Sequence, residues 1–351
     1  MMKKIPVVVI PGDGIGPEIT SAMQAVVDAS LDISHEVKIE WQEANAGLSA
    51  LTDGVDLLPN ITLDLIRRYK LAIKGPTATP IGGGHRSVNV ALRKELDLYA
   101  NFRPIRWYKG IDTPIRRPEQ VRFSLFREAT EDVYAGIEFA AGTREAEELA
   151  LFLHLSDRIV PHSALGIKPV SEFASRRIMR RALQFAVDQK ANRVTIVHKG
   201  NIMKFTEGAF AAWCRQEAQA FLGERYLSEE QFSTDFQGSV PDGKIVIQER
   251  IADAMFQEIL LRPERHEVIV SMNLNGDYLS DAAAALVGGL GMAPGANLGD
   301  DLAVFEAVHG TAPDIAGKNL ANPSALILSS ALLLDHVGAK RSALLIREAI
   351  Q

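Results

Sequence analysis

Short runs of β-branched residues alternate along the chain with longer segments that have the periodicity of amphipathic helices. The helical pattern is clearest at residues 171–189, and the strand-like runs lie at residues 6–10, 194–197, 245–247 and 268–270. This alternation predicts an α/β protein whose strands pair in parallel. No unit repeats at a fixed period and no low-complexity linker divides the chain, which favours two domains joined by crossing connections.

Length and composition fit this picture and exclude several classes of protein. The 351 residues, 47% of them hydrophobic, suffice for two domains of about 150 residues and a large core. A net charge of −6 gives no overall attraction to nucleic acid or to an anionic membrane. The single cysteine, Cys214, excludes an internal disulfide and a thiolate-rich metal site. We find no signal peptide or membrane anchor, so a cytoplasmic location is expected.

Charge is distributed unevenly within this acidic chain. Residues 86–127 hold ten Arg or Lys against four acids, whereas residues 242–306 hold eleven acids against four bases. Two solvated faces would account for such blocks. The spacing inside the blocks, however, points to ligand binding.

A glycine-rich turn follows the first predicted strand. Gly12, Gly14 and Gly16 lie where a dinucleotide fingerprint would be found, but only one residue separates the last two glycines and Pro17 follows. The fingerprint requires two residues there. We therefore predict a structural strand-to-helix turn, beside which a nucleotide can still pack.

A second glycine-rich stretch, residues 82–93, leads into polar and cationic side chains. Arginine forks bind carboxylates in bidentate fashion, and the neutral donors beside them predict a site for a small polycarboxylate. The alternative is a set of surface arginines paired with Glu95 and Asp97. The candidate substrate-binding residues are Ser87, Asn89, Arg93, Arg103 and Arg127.

Three aspartates and one lysine suggest further chemistry. Asp277 and Asp281 are one helical turn apart, and Asp253 lies in a separate helical stretch. Oxygen ligands without His or Cys select Mg²⁺ or Mn²⁺, although paired helical aspartates are often solvated caps. Lys199 ends a strand, where it is either a general base or a capping charge. The loop at residues 306–317 suits an adenine and pyrophosphate cradle, or is simply a polar turn.

Taken together, these segments resemble the β-hydroxyacid oxidative decarboxylase family, which contains isocitrate, 3-isopropylmalate, homoisocitrate and tartrate/malate dehydrogenases. Residues 87–93 are similar to the isocitrate branch, in which the serine and asparagine meet the extra carboxylate of isocitrate. The resemblance spans nearly the whole chain. Its motifs occur in family order at residues 11–18, 75–103, 127–138, 194–210, 272–281 and 309–317.

The resemblance implies roles for the candidate residues. Tyr134 and Lys199 would be the acid–base pair, and the five substrate-binding residues above would hold the carboxylates of isocitrate. Asp277 and Asp281 of one subunit would share Mg²⁺ or Mn²⁺ with Asp253 of a second, next to that subunit's Lys199. The implied unit is therefore a homodimer with shared active sites.

The resemblance also implies a cofactor pocket, and here the chain departs from NADP-dependent bacterial members. These typically carry a Lys-Tyr pair where this chain has Asp314 and Ile315. Because an aspartate suits a ribose hydroxyl and repels a 2′-phosphate, we predict NAD as cofactor. The implied cofactor-binding residues are Thr79, Asn201, His309, Gly310, Thr311, Ala312, Asp314, Ile315 and Asn322.

The expected fold has two α/β domains around a central cleft, is similar to isopropylmalate dehydrogenase, and is not a classical Rossmann fold. Residues 1–98 plus 251–351 would form the large cofactor-binding domain, and residues 99–250 the small domain with the dimer interface. The predicted activity is NAD-dependent oxidative decarboxylation of isocitrate to 2-oxoglutarate and CO₂, a step of the tricarboxylic acid cycle. The alternatives are homoisocitrate or 3-isopropylmalate oxidation, and a non-catalytic regulatory subunit, which the retained Tyr134, Lys199 and aspartates disfavour.

Overall fold

The computed structural model describes residues 2–51, 56–78, 87–155 and 157–351. Strands in these residues are β1 Lys3–Ile10, β2 Val37–Glu43, β3 Leu71–Lys74, β4 Ala100–Arg106, β5 Arg122–Glu128, β6 Ile137–Phe139, β7 Leu165–Ile167, β8 Arg193–His198, β9 Tyr226–Ser228, β10 Ile245–Ile251, β11 Val268–Ser271, β12 Pro294–Leu298 and β13 Ala303–Ala307.

The strands alternate with α-helices along most of the chain. The helices are α1 Gly16–Ser34, α2 Leu48–Leu51, α3 Asn60–Tyr69, α4 Val88–Glu95, α5 Arg144–Phe152, α6 Glu172–Asp188, α7 Glu207–Leu222, α8 Glu229–Thr234, α9 Ala252–Leu261, α10 Asn273–Ala285, α11 Ser324–His336 and α12 Lys340–Ile350. Short 3₁₀ turns occur at Pro118–Gln120, Asp132–Ala135, Gly223–Arg225, Pro263–Arg265 and Leu290–Met292. Among the described helices, none is long and apolar enough to cross a membrane.

Eleven strands form one sheet in the order β2-β1-β3-β13-β12-β4-β5-β11-β8-β10-β9, and β6 pairs with β7 separately. This large sheet with its helices confirms the predicted α/β fold class. The expected parallel pairing holds on both sides of the sheet but is wrong at its centre, where β12 pairs antiparallel with β13 and β4, and β4 with β5. Only a short turn joins β12 to β13, closed by a 2.8 Å bond from Gly299 N–H to the Leu302 carbonyl, so those strands must run in opposite directions.

The local sequence accounts for where α1 and α6 begin and for which face of α6 is buried. The Ser171 hydroxyl caps α6 by accepting the Ala174 N–H at 3.1 Å, and Ile178 and Ala182, one turn apart, are fully buried. Pro17 occupies the first turn of α1, where its missing N–H costs nothing. Cys214 is buried in α7 as a free thiol.

The division of the chain into two domains stays a prediction, but the strand order is relevant to the boundary placed between residues 250 and 251. β11 lies between β5 and β8, so residues 268–271 pair with strands that the sequence assigned to the small domain. The helix α10 that follows β11 packs on β5 and β4. This pairing associates residues 251–285 with the segment 99–250.

A chain of buried polar side chains crosses the middle of the sheet. Glu306 on β13 accepts from Lys74 on β3 at 2.8 Å and from Arg93 on α4 at 3.2 Å. The Arg93 Nε also donates to Asn297 on β12 at 2.8 Å, and that amide oxygen accepts from Asn101 on β4 at 2.9 Å. All five residues are at most 7% exposed, so each charge depends on the others for compensation.

These contacts also set the protonation state of Glu306. Burial raises the pKa of this carboxyl, but the charges of Lys74 and Arg93 and the hydrogen bond from Asn297 outweigh that effect. The pKa of Glu306 therefore lies far below its ordinary value. Because the folded pKa is depressed, the stabilisation is fully present above the unfolded pKa of about 4.3 and is lost as the pH falls toward the folded pKa.

We predict that Glu306→Gln lowers the free energy of unfolding at pH 7 by about 3–5 kcal/mol, because two buried cations lose their carboxylate while the shape is kept. Urea unfolding at pH 7 and below pH 4 measures the loss, which should shrink at the acidic pH. The control is Glu40→Gln, which breaks the exposed 2.6 Å pair with Lys4 and should change stability little. Equal losses in the two variants would contradict the buried network.

Candidate functional site

A cavity of about 230 Å³ opens where β3, β13, β4 and β5 meet α4 and α10. It contains all five predicted substrate-binding residues, Ser87, Asn89, Arg93, Arg103 and Arg127, together with Tyr134, Asp277 and Asp281. Lys74 and Glu306 also line it. The residues predicted to bind a polycarboxylate therefore surround one cavity. The alternative, in which the arginines lie on the surface and pair with Glu95 and Asp97, does not apply to Arg93, Arg103 and Arg127.

Two of the arginines are fixed by residues on one face of α10. Arg127 donates through Nε to Asn273 Oδ1 at 2.9 Å and forms an ion pair with Asp277. Arg103 donates through one terminal nitrogen to Ser280 Oγ at 2.6 Å and to Asp281 Oδ1 at 3.0 Å. These residues lie on one side of α10, because position 277 is four residues from 273, three from 280 and four from 281.

Gly276 allows Arg127 to lie against this helix. A Cβ at position 276 would come within 2.8 Å of the Arg127 Cγ. Arg127 is 1% exposed, and its guanidinium stacks over the Tyr134 ring at 4.9 Å from the centroid. The missing side chain at 276 is therefore what lets the arginine reach both Asn273 and Asp277.

Asp277 is held ionised and Tyr134 is held protonated. Burial raises the pKa of Asp277, but the charge of Arg127 and the hydrogen bond from Tyr134 lower it by more, so that the net shift is downward. Burial, and then the contact with Asp277, raise the pKa of Tyr134 despite the nearby Arg127. The Tyr134 hydroxyl donates to Asp277 Oδ2 at 2.7 Å, so it is a proton donor at the cavity surface.

Burial and mutual repulsion act on the arginines themselves. Burial, followed by repulsion from Arg93, lowers the pKa of Arg127 to about 10, and the same two causes lower the pKa of Arg103. Arg127 nevertheless stays protonated near neutral pH. In the described residues, Arg93 Nη1 and Arg103 Nη2 donate to no acceptor, so both remain available to an anionic ligand.

The acids of the cavity offer the type of ligand that a hard cation prefers. Asp277 and Asp281 face the same space with carboxylate oxygens of the kind that Mg²⁺ and Mn²⁺ prefer. Within the described ranges of this single chain, no group of three His, Cys, Asp or Glu residues could hold a metal. The two aspartates fit as a partial ligand set that requires oxygens from substrate, water or a second chain.

Lys199, Asp253 and Asn201 do not line the cavity. The Lys199 ammonium forms an ion pair with Asp253, and the hydrogen bond from Lys199 lowers the pKa of that carboxyl. Asn201 is exposed in the turn after β8. The structure does not bring these three residues to Asp277, and the division of the active site between two subunits stays a prediction.

The loop after β13 forms one rim of the cavity through Val308, His309 and Gly310. His309 Nδ1 lies 3.0 Å from the Gly310 carbonyl, and its Nε2 is buried with no hydrogen-bond partner in the described residues. A buried nitrogen without a partner is costly, so this atom is positioned to bind a ligand.

The other residues predicted to bind the cofactor differ in burial. Ala312 and Ile315 pack on the hydrophobic core, and Asn322 contacts the Met292 sulfur at 3.6 Å. Asp314 is exposed, and the Lys318 ammonium donates to its carbonyl at 2.7 Å. Thr79 lies outside the described residues, as do residues 82–86 of the second glycine-rich stretch.

The first glycine-rich turn has the structural role predicted for it and also supports this loop. The Ile15 N–H donates to the Thr311 carbonyl at 2.9 Å, and the Asp13 N–H donates to the Pro76 carbonyl at 2.7 Å. A Cβ on Gly14, whose φ is +59°, would lie 2.1 Å from the Thr311 oxygen. The glycines thus permit backbone-to-backbone packing beneath the His309 loop.

Several residues that organise the cavity were not predicted from the sequence. Lys74 and Glu306 are charged residues inside the otherwise apolar strands β3 and β13, and this was the available signal, because a charge in a buried strand must find a partner. Asn101, Asn297, Asn273 and Ser280 carried no comparable signal. Their neutral side chains occur as often in turns and caps.

Comparison with known proteins identifies the relatives of this chain. The family model described as isocitrate/isopropylmalate dehydrogenase matches residues 6–351. Proteins named NADP isocitrate dehydrogenase are 49% identical over 97% of this chain and 83% of the Archaeoglobus fulgidus protein, and 49% identical over 96% of this chain and 82% of the Pseudomonas aeruginosa protein. The crystal structure of isocitrate dehydrogenase from Methylococcus capsulatus matches with a TM-score of 0.80 and 38% identity, over 99% of this chain and 91% of that one.

These names contradict the prediction of an NAD-dependent enzyme. The prediction rested on Asp314 and Ile315, and the structure gives a physical reason why the inference is weak. Ile315 faces the core, and the exposed Asp314 carboxylate is free to turn into solvent beside a fixed cation, Lys318. The charge of this loop is therefore not set by the aspartate alone.

We predict that Gly14→Ala destabilises the protein more than Gly338→Ala and also weakens dinucleotide binding. Both glycines have positive φ, which costs an alanine about 1–2 kcal/mol, but a Cβ at Gly338 meets no atom within 4 Å. Urea unfolding and dinucleotide titration of both variants test the packing of the turn on Thr311. Equal effects in the two variants would show that the close approach is unimportant.

Proposed function

We propose that this chain, which belongs to the isocitrate/isopropylmalate dehydrogenase family, catalyses the oxidative decarboxylation of isocitrate to 2-oxoglutarate and CO₂. The observation that carries the proposal is the single cavity in which three buried guanidiniums face two aspartates and a protonated tyrosine. The names of its relatives support the same activity. We propose NADP⁺, the cofactor in those names, as the hydride acceptor.

The polar side chains of the cavity support a tricarboxylate over an isopropyl-bearing acid. Ser87 and Asn89 line the space, and Asn89 Oδ1 accepts from the Thr77 hydroxyl at 3.2 Å, which leaves the amide N–H groups for a ligand carboxylate. An apolar substituent would leave these groups buried without partners. A site built around hydrogen bonds rejects an analogue that lacks them far more strongly than an apolar pocket rejects a size change.

A bound divalent ion supplies Lewis-acid stabilisation of negative charge on the substrate oxygens, and a bound dinucleotide supplies the hydride acceptor. Asp277 and Asp281 are the residues of this chain that would hold the ion. Arg93, Arg103 and Arg127 bind the substrate carboxylates and fix the orientation of the carbon that is oxidised.

Tyr134 is the proposed acid. Loss of CO₂ from the β-keto acid leaves an electron pair on carbon, which must be protonated to give 2-oxoglutarate. The Tyr134 hydroxyl has a raised pKa, is bonded to Asp277 and lies in the cavity with the substrate arginines. It can therefore deliver that proton and regain one from solvent.

Lys199 is the proposed base, acting from a second copy of the chain. As a neutral amine it would take the proton of the substrate hydroxyl while hydride leaves the carbon that bears this hydroxyl, with Asp253 positioning the Lys199 side-chain nitrogen. Because both residues lie outside the cavity of their own chain, the proposal requires a homodimer with shared sites.

The activity test uses purified protein with Mg²⁺ or Mn²⁺ and compares isocitrate, homoisocitrate and 3-isopropylmalate, each with NADP⁺ and with NAD⁺. We expect the highest kcat/KM with isocitrate and NADP⁺, and formation of 2-oxoglutarate and CO₂. Tyr134→Phe and Lys199→Met should each lower turnover by about 10²–10⁴-fold. Tyr278→Phe is the control, because Tyr278 follows Asp277 but is exposed. Preference for 3-isopropylmalate, or full turnover in both variants, would contradict the proposal.

Mixed subunits test the shared site directly. A heterodimer of one Tyr134→Phe chain and one Lys199→Met chain holds one site with both groups intact if each site draws these residues from different chains. We expect mixing and refolding of the two inactive variants to restore activity. If both residues act within one chain, the mixture will stay as inactive as the separate variants.

A further inference from the structure

A second and larger cavity, of about 460 Å³, lies on the other face of the strands that carry the substrate arginines. Side chains alternate along β4 and β5, so Arg103 and Arg127 project into the candidate active site, whereas Arg106 and Arg122 project to the opposite face. Arg347 of α12 reaches the same cavity. The rest of the lining includes apolar side chains, among them Phe185, Leu328 and Leu332.

Two of these arginines are placed against each other without a carboxylate between them. Arg106 and Arg122 are directly opposite in the antiparallel pairing of β4 with β5. Like charges in such positions destabilise a sheet. In the described residues neither guanidinium has an acidic partner, and the Arg106 guanidinium lies over the ring of Tyr108, 5.7 Å from its centroid.

The other charges nearby do not neutralise this pair. Arg347 is paired with Asp335. Glu267 is the one acid in the lining, and its Oε2 accepts the Asn192 N–H at 3.0 Å. Burial raises the pKa of the Tyr108 hydroxyl while Arg106 and Arg347 act to lower it, which places both guanidiniums close to that buried phenol. The cavity thus concentrates positive charge beside an apolar wall.

We propose that this cavity is a binding site for a small phosphate-bearing molecule whose apolar part packs on Leu328 and Leu332. A phosphate group carries up to two negative charges and three acceptor oxygens, so one group can bridge Arg106 and Arg122. A single carboxylate carries one negative charge, so it leaves one of the two guanidinium charges uncompensated. The planar donors of arginine match phosphate oxygens in pairs.

The test is calorimetric titration of the whole protein with pyrophosphate at low ionic strength, in the presence of saturating isocitrate, so that the arginines of the candidate active site are occupied. Arg106→Gln and Arg122→Gln should each weaken the binding about tenfold or more, since each removes charge-assisted hydrogen bonds. Arg262→Gln is the matched control, an exposed arginine whose side chain has no partner in the described residues and which lies outside both cavities. Glutarate, a dicarboxylate, should bind more weakly than pyrophosphate.

Binding that is unchanged in both cavity variants, or equally reduced in the control, would overturn the proposal, because pyrophosphate would then be held elsewhere. Tighter binding of glutarate would overturn the assignment to phosphate. Thermal unfolding without ligand gives a second measurement. Arg122→Gln should unfold at an equal or higher temperature than the parent protein, because repulsion is relieved. A lower unfolding temperature would show that Arg122 serves the fold instead.

Discussion

The interaction on which the rest of the structure depends is the buried charge of Glu306 between Lys74 and Arg93. A carboxylate placed among apolar strands is tolerable only when its partners are fixed in place. Those partners come from β3 and α4, and the hydrogen bonds continue through Asn297 to Asn101 on β4. The strands on which the active site is built are therefore joined by directional polar contacts as well as by apolar packing, and a one-residue shift of any strand would break the chain.

This network helps to hold three guanidiniums side by side. Arg93, Arg103 and Arg127 repel one another, and burial adds to the cost. Each is held by acids and amides on β13, β12 and α10, which leave some N–H groups directed to the cavity. Donors that are oriented before binding need no reorganisation during the reaction, which is the main source of electrostatic catalysis. The free energy that it costs to bury these three charges together is offset by the other favourable interactions that form when the protein folds.

The structure confirms the α/β class that the sequence predicted. It also brings the five predicted substrate-binding residues, Tyr134 and the two aspartates of α10 to one cavity, although their roles stay predictions. The antiparallel centre of the sheet was not predicted. Gly299 and Asp300 between β12 and β13 are typical of a hairpin turn, but the segment before them, Pro294–Leu298, has no β-branched residue to indicate a strand. Asn273 and Asn297 were missed because a neutral amide reveals its partners only in three dimensions. The cofactor prediction was wrong because it treated Asp314 in isolation, whereas the fold brings Lys318 to the same turn.

Under the proposed function, catalysis depends on the association of two chains, because the proposed acid lies in the cavity and the proposed base lies outside it. The cavity holds the proposed acid, the three arginines and two carboxylates, but the lysine proposed as base lies outside it with its aspartate. Under the proposed function one chain carries two partial sites, and no group of three His, Cys, Asp or Glu residues in the described ranges could hold a metal. If a second copy supplies the missing groups, a metal and substrate that bind across the interface also stabilise the dimer, because a ligand favours the state that binds it. Substrate affinity and subunit affinity are then two measures of one coupling free energy.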